Sequence, residues 1–474
     1  MAIYLSVDLG TTGCRSILFD SALNQLAESY EEYGLITPKE GYVEQDAELW
    51  WELTLKTAKA VIEKSGVDSK EIKGISISSQ GLTLVPVDQN LTPLYNAISW
   101  LDRRTVKQAE LLCADIGEEK MYSLCGKPII PDYFLPKLLW LKENEPQIYN
   151  KAYKFLMPMD FLIARFTGNC VTDHSMASGT LMYDIKNGVW CDEILHRYNI
   201  SAEKLPTLKW AGEMAGALLP AVAEILGLSP DCVVAVGAQD QKCAVLGAGL
   251  KEKIVTVSLG TAGAVSRYWN IIKTENYSDI RWSSFVEKGS WVTEGVVLTA
   301  ASSLRWLRDI AFENTSYKEI DRLAANSLEK GSSVLFFPHL EEGLGTFYGM
   351  SLSTDKGDMA LAVMESVAFE IRKLMEQMAV YDENHTAILF GGASKSDLWC
   401  QIVANVINMP VTVPKTVESA GAGAAILASI AAGEFTYSDH PALPSGKTYT
   451  PDNSAENYKE KYKKYLETEK TLGI

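Results

Sequence analysis

Apolar and polar residues first alternate over residues 3–8. Ile3, Leu5 and Val7 oppose Tyr4, Ser6 and Asp8, which predicts a strand. The turn Gly10-Thr11-Thr12-Gly13 follows, and Arg15-Ser16-Ile17-Leu18-Phe19-Asp20 then reads as a second strand rather than a helix. A P-loop or a dinucleotide-binding turn needs a helix N-terminus directly after its glycines, so a hairpin here argues against both. Asp46 is placed to cap a helix with Leu49, Leu53, Thr57, Ala60 and Val61 on one face. The strand Gly74-Ile75-Ser76-Ile77-Ser78 comes next, then Leu84-Val85-Pro86-Val87-Asp88. This alternation predicts an α/β domain with a mixed sheet.

The pattern restarts after residue 232. A continuous apolar strand, Cys232-Val233-Val234-Ala235-Val236-Gly237, ends near Asp240, followed by the glycine-rich Gly247-Ala248-Gly249. Then Val255-Thr256-Val257-Ser258-Leu259 runs into Gly260-Thr261, echoing Val7-Asp8-Leu9-Gly10-Thr11. Two copies of strand–Gly-Thr–strand predict two related domains facing a common cleft, 1–246 and 247–474. Toward the end lie Ile388-Leu389-Phe390-Gly391-Gly392, a small-residue helix over 420–432, and an amphipathic, solvated helix over 455–471.

The chain's 474 residues suffice for two or three domains, with 47% apolar and 22% charged residues. The net charge of −16 makes nucleic acid and anionic membranes poor partners. ATP remains admissible if backbone N–H groups, a metal ion and local cations hold its phosphates. No apolar run approaches the ~20 residues of a membrane span, and the first residues lack a signal-peptide pattern, so a cytoplasmic protein is expected. Eight cysteines without CxxC pairs and five scattered histidines show no metal cluster.

Four constellations could carry chemistry. Asp8-x-Gly10-Thr11-Thr12-Gly13-x-Arg15 could form an anion nest, with Asp8 holding Mg²⁺ directly or through water and Arg15 meeting phosphoryl charge; alternatively it is an ordinary hairpin with a surface arginine. Ser258-Leu259-Gly260-Thr261 is a second phosphate grip or a glycine-kinked strand end. Asp240 is a proton acceptor at a strand's carboxyl end, or a helix cap. Gly391-Gly392-Ala393-Ser394-Lys395-Ser396 lets a flat ring approach the backbone, or is just a turn.

In order and spacing these motifs resemble the FGGY carbohydrate kinases of the actin/hexokinase/Hsp70-like ATPases. Trp100-x-Asp102-Arg103-Arg104, Pro136-Lys137-Leu138-Leu139-Trp140, Gly391-Gly392-Ala393-x-x-Ser396-x-x-Trp399-x-Gln401 and Ala420-x-Ala422-Gly423-Ala424-Ala425 carry the resemblance along the whole chain. It implies two RNase H-like domains closing on ATP and a sugar. It implies Asp8 for Mg²⁺, with Gly10, Thr11, Thr12, Gly13 and Arg15 for the phosphates. Gly260 and Thr261 fall to the β/γ-phosphate region, and Ala301, Arg305, Gly392 and Ser396 to the nucleoside. Asp240 matches the catalytic base, with Gln241 beside it; Gln80, Gly81, Leu82, Asp102 and Tyr133 fall near the sugar. Glycerol kinases carry Arg-Glu where this chain has Gly81-Leu82, and Escherichia-type xylulokinases carry Met-His. The chain has neither pair, which disfavours glycerol. Asn405 stands where an aspartate is common. The expectation is an ATP-dependent kinase for a primary hydroxyl of a small ketose or polyol, foremost a pentulose such as xylulose. An L-fuculose-like or other ketose or polyol kinase is the alternative, and a non-kinase actin-like ATPase the alternative of another class. Sugar and ATP are the expected partners, and a homodimer is allowed.

Overall fold

The computed structural model describes residues 2–474 except 277, 279, 314, 383, 416 and 417. The chain divides into two compact units: Met1–Gly247 with Trp269–Val292 and Glu418–Leu443, and Ala248–Tyr268 with Thr293–Val417 and Pro444–Ile474. The division read from sequence, 1–246 and 247–474, therefore differs by two later segments that pack with the first unit. One of them is the small-residue helix, Ser419–Ala431.

The first unit is built on a mixed sheet. Its strands are β1 (Ile3–Leu9), β2 (Gly13–Asp20), β3 (Gln25–Glu32), β4 (Ile72–Ser79), β5 (Met214–Ala217), β6 (Val233–Ala235) and β7 (Ala238–Gln239). The order is β5-β6-β4-β1-β2-β3, with β7 also pairing β4. β1 is antiparallel to β2 and parallel to β4. The polar members of β1, Tyr4 and Ser6, are as buried as Leu5 and Val7. The alternation thus separates two covered faces, not core from solvent.

Helix α1 (Ala47–Ser65) starts at Asp46, whose side chain accepts from the N–H groups of Glu48 and Leu49, and ends at Gly66 with φ 69°. Its buried face is turned from the expected one: Trp50, Trp51, Thr54, Ala58, Val61 and Ile62 go inside, while Leu49 and Leu53 are only half-buried. The two tryptophans bring the largest apolar area and decide which side packs. Thr57 turns its hydroxyl to Ser16 Oγ at 2.8 Å.

The apolar strand after residue 232 breaks in two at Gly237, where any Cβ would overlap the Ile77 carbonyl. Nor do Gly247 and Ala248 form a glycine-rich connection: they are the last turn of α3 (Asp240–Ala248), and helix α2 is Phe134–Asn144. A Cβ on Gly247 would overlap the Ser419 carbonyl, and one on Gly423 the Cys243 carbonyl. The two helices therefore touch backbone to backbone, which is why residues 420–425 are all glycine or alanine. Gly423→Ala is expected to cost about 1–3 kcal/mol by overpacking, visible as a lowered thermal unfolding temperature, because the obstructing atom is main chain.

The second unit repeats the plan. Its strands are β8 (Ile254–Leu259), β9 (Gly263–Trp269), β10 (Trp291–Val297), β11 (Thr386–Phe390), β12 (Val411–Pro414) and β13 (Ser445–Tyr449), in the order β10-β9-β8-β11-β12-β13. β8 is antiparallel to β9 and parallel to β11, as β1 is to β2 and β4. Helices α4 (Ala301–Ala311), α5 (Lys356–Gln377), α6 (Asp397–Ile407) and α7 (Ser454–Leu472) are among its helices. One face of α7 is core rather than solvated: Tyr458, Tyr462 and Tyr465 are buried, and Tyr465 lies 5.1 Å from the ring of Phe369. Buried Asn405 donates to Asp452 Oδ1 at 3.1 Å and accepts from the Asp452 N–H at 3.0 Å. An aspartate there would set two carboxylates against each other.

Candidate functional site

The turn 10–13 between β1 and β2 has all four carbonyls bound by protein donors. Gly10 O accepts from the Tyr33 hydroxyl, Thr11 O from Gln45 Nε2 at 2.7 Å, Thr12 O from the Tyr33 N–H at 3.0 Å and Gly13 O from the Gly10 N–H at 2.9 Å. Trp100 Nε1 donates to Thr11 Oγ1 at 3.0 Å. The N–H groups of Thr11 and Thr12 have no protein acceptor among the described residues. A turn with its carbonyls drawn in and its amides left over suits an anion.

Asp8, at the end of β1, accepts from Ser78 Oγ at 2.7 Å. Its carboxyl is held above its ordinary range, first by desolvation, with Glu418 adding to the rise and Ser78 and Arg15 opposing it. Arg15 stands opposite Asp8 across the hairpin. Its guanidinium pairs with Glu418, and with Glu28 at 3.6 Å, so a phosphate must compete with these carboxylates.

Asp240 opens α3 directly after β7, which is parallel to β4. Its half-buried carboxylate accepts from the N–H of exposed Gln241 at 2.7 Å. Both lie where the sequence put them, at the carboxyl ends of parallel strands in an α/β sheet.

The segment 80–83 is bound to the first hairpin. Gln80, 2% exposed, donates to Gln45 Oε1 at 3.1 Å, and Gln45 in turn holds Thr11. The Thr83 N–H donates to Gly81 O at 2.8 Å, closing a three-residue γ-turn with Leu82 at φ 65°. A leucine in the left-handed region stores strain and needs external support. The support is Lys137 on α2, fully buried, whose ammonium donates to Leu82 O at 3.2 Å and to Asp132 O.

Burial pushes the Lys137 amine down to about 7, against Asp132 and Asp102, which raise it, while Arg103 and Arg104 add to the fall. Below pH 7 the cost of the buried charge is fully present. Between about 7 and the ordinary 10.5 the unfolded chain holds the extra proton, so stability rises with pH. Lys137→Met is expected to remove this rise, at most about 1.4 kcal/mol per pH unit, in thermal unfolding measured from pH 7 to 10.

Two of the residues expected near the sugar are buried. Asp102 is wholly buried. Its oxygens accept from the Val43 N–H at 2.6 Å and from Arg104 Nε at 2.9 Å, and Arg104 also binds Glu44 at 2.7 Å between the rings of Tyr42 and Trp140. With both oxygens engaged by Val43 and Arg104, Asp102 braces this segment. Tyr133, directly before α2, is 3% exposed and belongs to the core.

In the second unit the turn 260–262 repeats the first. Gly260 O accepts from the Ala301 N–H at 3.0 Å, Thr261 O from the Ala300 N–H at 3.1 Å, and Ala262 O from the Gly260 N–H at 3.1 Å. Ala301 begins α4, from which Arg305 donates to Thr261 Oγ1 at 3.0 Å. Of the glycine pair after β11, Gly391 is required by the backbone, with φ 99° and Leu259 packed against it. Gly392 is exposed, and a Cβ on it would meet nothing. Ser396 caps α6 by accepting from the Trp399 N–H at 3.1 Å.

Sequence reasoning did not single out Gln45, Ser78, Lys137 or Gln239. Lys137 lay inside a noted motif, Gln239 directly before Asp240 and Ser78 at the end of a predicted strand, but none of the four carries a local signal for these contacts.

Two units with the same hairpin and parallel-strand core, each ending in an amide-rich turn, define a phosphotransferase with the actin-like ATPase fold. A crystal structure of ligand-bound xylulose kinase from Lactobacillus acidophilus superposes with a TM-score of 0.92 at 25% identity, covering 100% of this chain and 99% of that one. This chain belongs to the FGGY family of carbohydrate kinases, whose N-terminal domain matches residues 3–247 and whose C-terminal domain matches residues 255–432. It is 31% identical over 447 residues to the xylulose kinase of Bacillus subtilis strain 168, with 92% of this chain and 89% of the relative covered. It is also 32% identical over 450 residues to the glycerol kinase of Thermococcus gammatolerans, covering 90% and 88%. As in its family, the reaction is ATP-dependent phosphoryl transfer to an alcohol group of a carbohydrate.

Proposed function

We propose that the protein phosphorylates a primary hydroxyl of a small ketose, with a pentulose such as xylulose the favoured acceptor. The observation that carries this reading is Asp240, half-buried at the start of α3, directly after Gln239, which pairs with Ser79 of β4 and lies against Gly81. The likeness to xylulose kinases supports the acceptor class. The apolar pair Gly81-Leu82 disfavours glycerol.

Asp240 orients the acceptor hydroxyl and takes its proton late, as the bond to phosphorus forms. The amides of Thr11 and Thr12 receive phosphate oxygens, aided by Gly10, Gly13 and Arg15. In the second unit Gly260 and Thr261 bind the β/γ-phosphate region, and Ala301, Arg305, Gly392 and Ser396 the nucleoside. Among the described residues no three His, Cys, Asp or Glu side chains form a metal site. This fits Mg²⁺ carried mainly by ATP and water, with the hard oxygen of Asp8 as its protein contact. Bound there, Mg²⁺ would neutralise phosphate charge.

No described helix is long and apolar enough to cross a membrane. All eight cysteines are free thiols, which suits a reducing, cytoplasmic setting. The test is ADP release with and without a panel of pentuloses, hexuloses and polyols. Turnover is expected to depend on the sugar and to be fastest with a pentulose. An ATPase indifferent to every sugar would favour a non-kinase ATPase.

A further inference from the structure

Gly81 has no side chain to offer a sugar, and a neighbour occupies the space above it. A Cβ on Gly81 would lie 3.1 Å from Nε2 of Gln239 and 3.3 Å from its Cδ and Cγ. Gln239 ends β7, opposite Ser79 of β4, and immediately precedes Asp240. Its backbone is fixed there, because its N–H donates to Ser175 Oγ at 3.1 Å. Its carboxamide is half-buried and has no hydrogen-bond partner among the described residues. Next to Ser79 in the chain, Gln80 buries its Oε1 with no partner among those residues either.

We infer that Gln239 determines acceptor specificity: its carboxamide lies where the side chain of residue 81 would, and reads a hydroxyl or carbonyl of the sugar beside the hydroxyl that Asp240 receives. The inference rests on the kinase reading above. A carboxamide donates through nitrogen and accepts through oxygen without charge. It matches a neutral ketose, whose adjacent carbonyl and hydroxyl need one donor and one acceptor. It offers no cation to the carboxylate of a sugar acid. Residue 81 must then be glycine for the amide to stay in place, so the two positions act as a pair.

The test is steady-state kinetics of the wild type, Gln239→Met, Gln239→Ala, Gly81→Ala and the double variant Gly81→Ala/Gln239→Ala. The substrates are 2-ketopentoses, 2-ketohexoses, polyols and aldonic acids. Methionine keeps the length of glutamine and removes both hydrogen-bonding groups. Gln239→Met is expected to raise KM for the preferred ketose by ~10–100-fold and to flatten the preference over polyols, with KM for ATP and thermal unfolding unchanged. Gly81→Ala is expected to raise the sugar KM alone and to add nothing once Gln239 is alanine, a coupling that two independent structural effects would not produce. Wild-type KM and preference in Gln239→Met, or additive effects in the double variant, overturn the assignment while leaving the kinase reading intact. A wild-type enzyme that phosphorylates nothing in the panel overturns both. Should Gln239→Met not fold, Gly81→Ala decides alone: an unchanged sugar KM counts against the pair.

Discussion

Asp240→Asn is expected to lower kcat by ~10²–10⁴-fold while KM for sugar and ATP stays within a few-fold. An alcohol is far too weak an acid for a carboxylate to deprotonate in the ground state. In a loose phosphoryl-transfer transition state the proton leaves late, so the carboxylate orients the hydroxyl and receives the proton as the new bond forms. Asparagine keeps the size and one acceptor oxygen but cannot take the proton. That remaining oxygen can still accept from the Gln241 N–H that now meets Asp240 Oδ1 at 2.7 Å, so the local fold is retained. Single-turnover measurements separate the chemical step from product release. A near wild-type rate in that experiment would remove Asp240 from the mechanism.

Asp8→Ala is expected to reduce turnover by ~10³-fold or more, and raised Mg²⁺ is expected to recover little of it. The Asp8 carboxylate is held at the end of the central strand by Ser78, in a setting that desolvates it and places Glu418 nearby. Carboxyls perturbed in this way cluster at functional sites. Alanine removes the group without disturbing the β1–β2 ladder, which is formed by main chain. Circular dichroism should match wild type while the coupled ADP assay falls. Normal turnover in Asp8→Ala would make Asp8 a strand terminus and nothing more.

Much of this was legible in the sequence where chemistry and local structure coincide. The hairpin after Gly10 was visible because Arg15 to Asp20 has the composition of a strand, and the repeat at Gly260-Thr261 because the same residues recur after an apolar strand. Asp46 announced α1 as a cap. The face of α1 was misread because periodicity allows several faces, and bulk, here Trp50 and Trp51, chooses among them. Asp102 and Arg104 lay in one recognisable element, but their further partners, Val43 and Glu44, come from residues far away in the chain. The strand before Asp240 looked continuous since nothing local shows that Ile77 occupies the space at Gly237. Gln45 and Gln239 act through contacts across the sheet, for which a single sequence holds no pattern.

The glycine contact between α3 and the small-residue helix bears on how the enzyme can evolve. Gly247 and Gly423 leave no gap for a side chain, so the seat of Asp240 is set by main-chain distance and tolerates little drift. On the reading proposed above, the sugar is met instead by side chains at 80, 82 and 239, which can be exchanged without moving that seat. New acceptors should therefore be reachable by substitution at a few positions with the rate of the chemical step carried over. A saturation library at 81, 82 and 239 should yield altered substrate ranges, and one at 247 and 423 only losses.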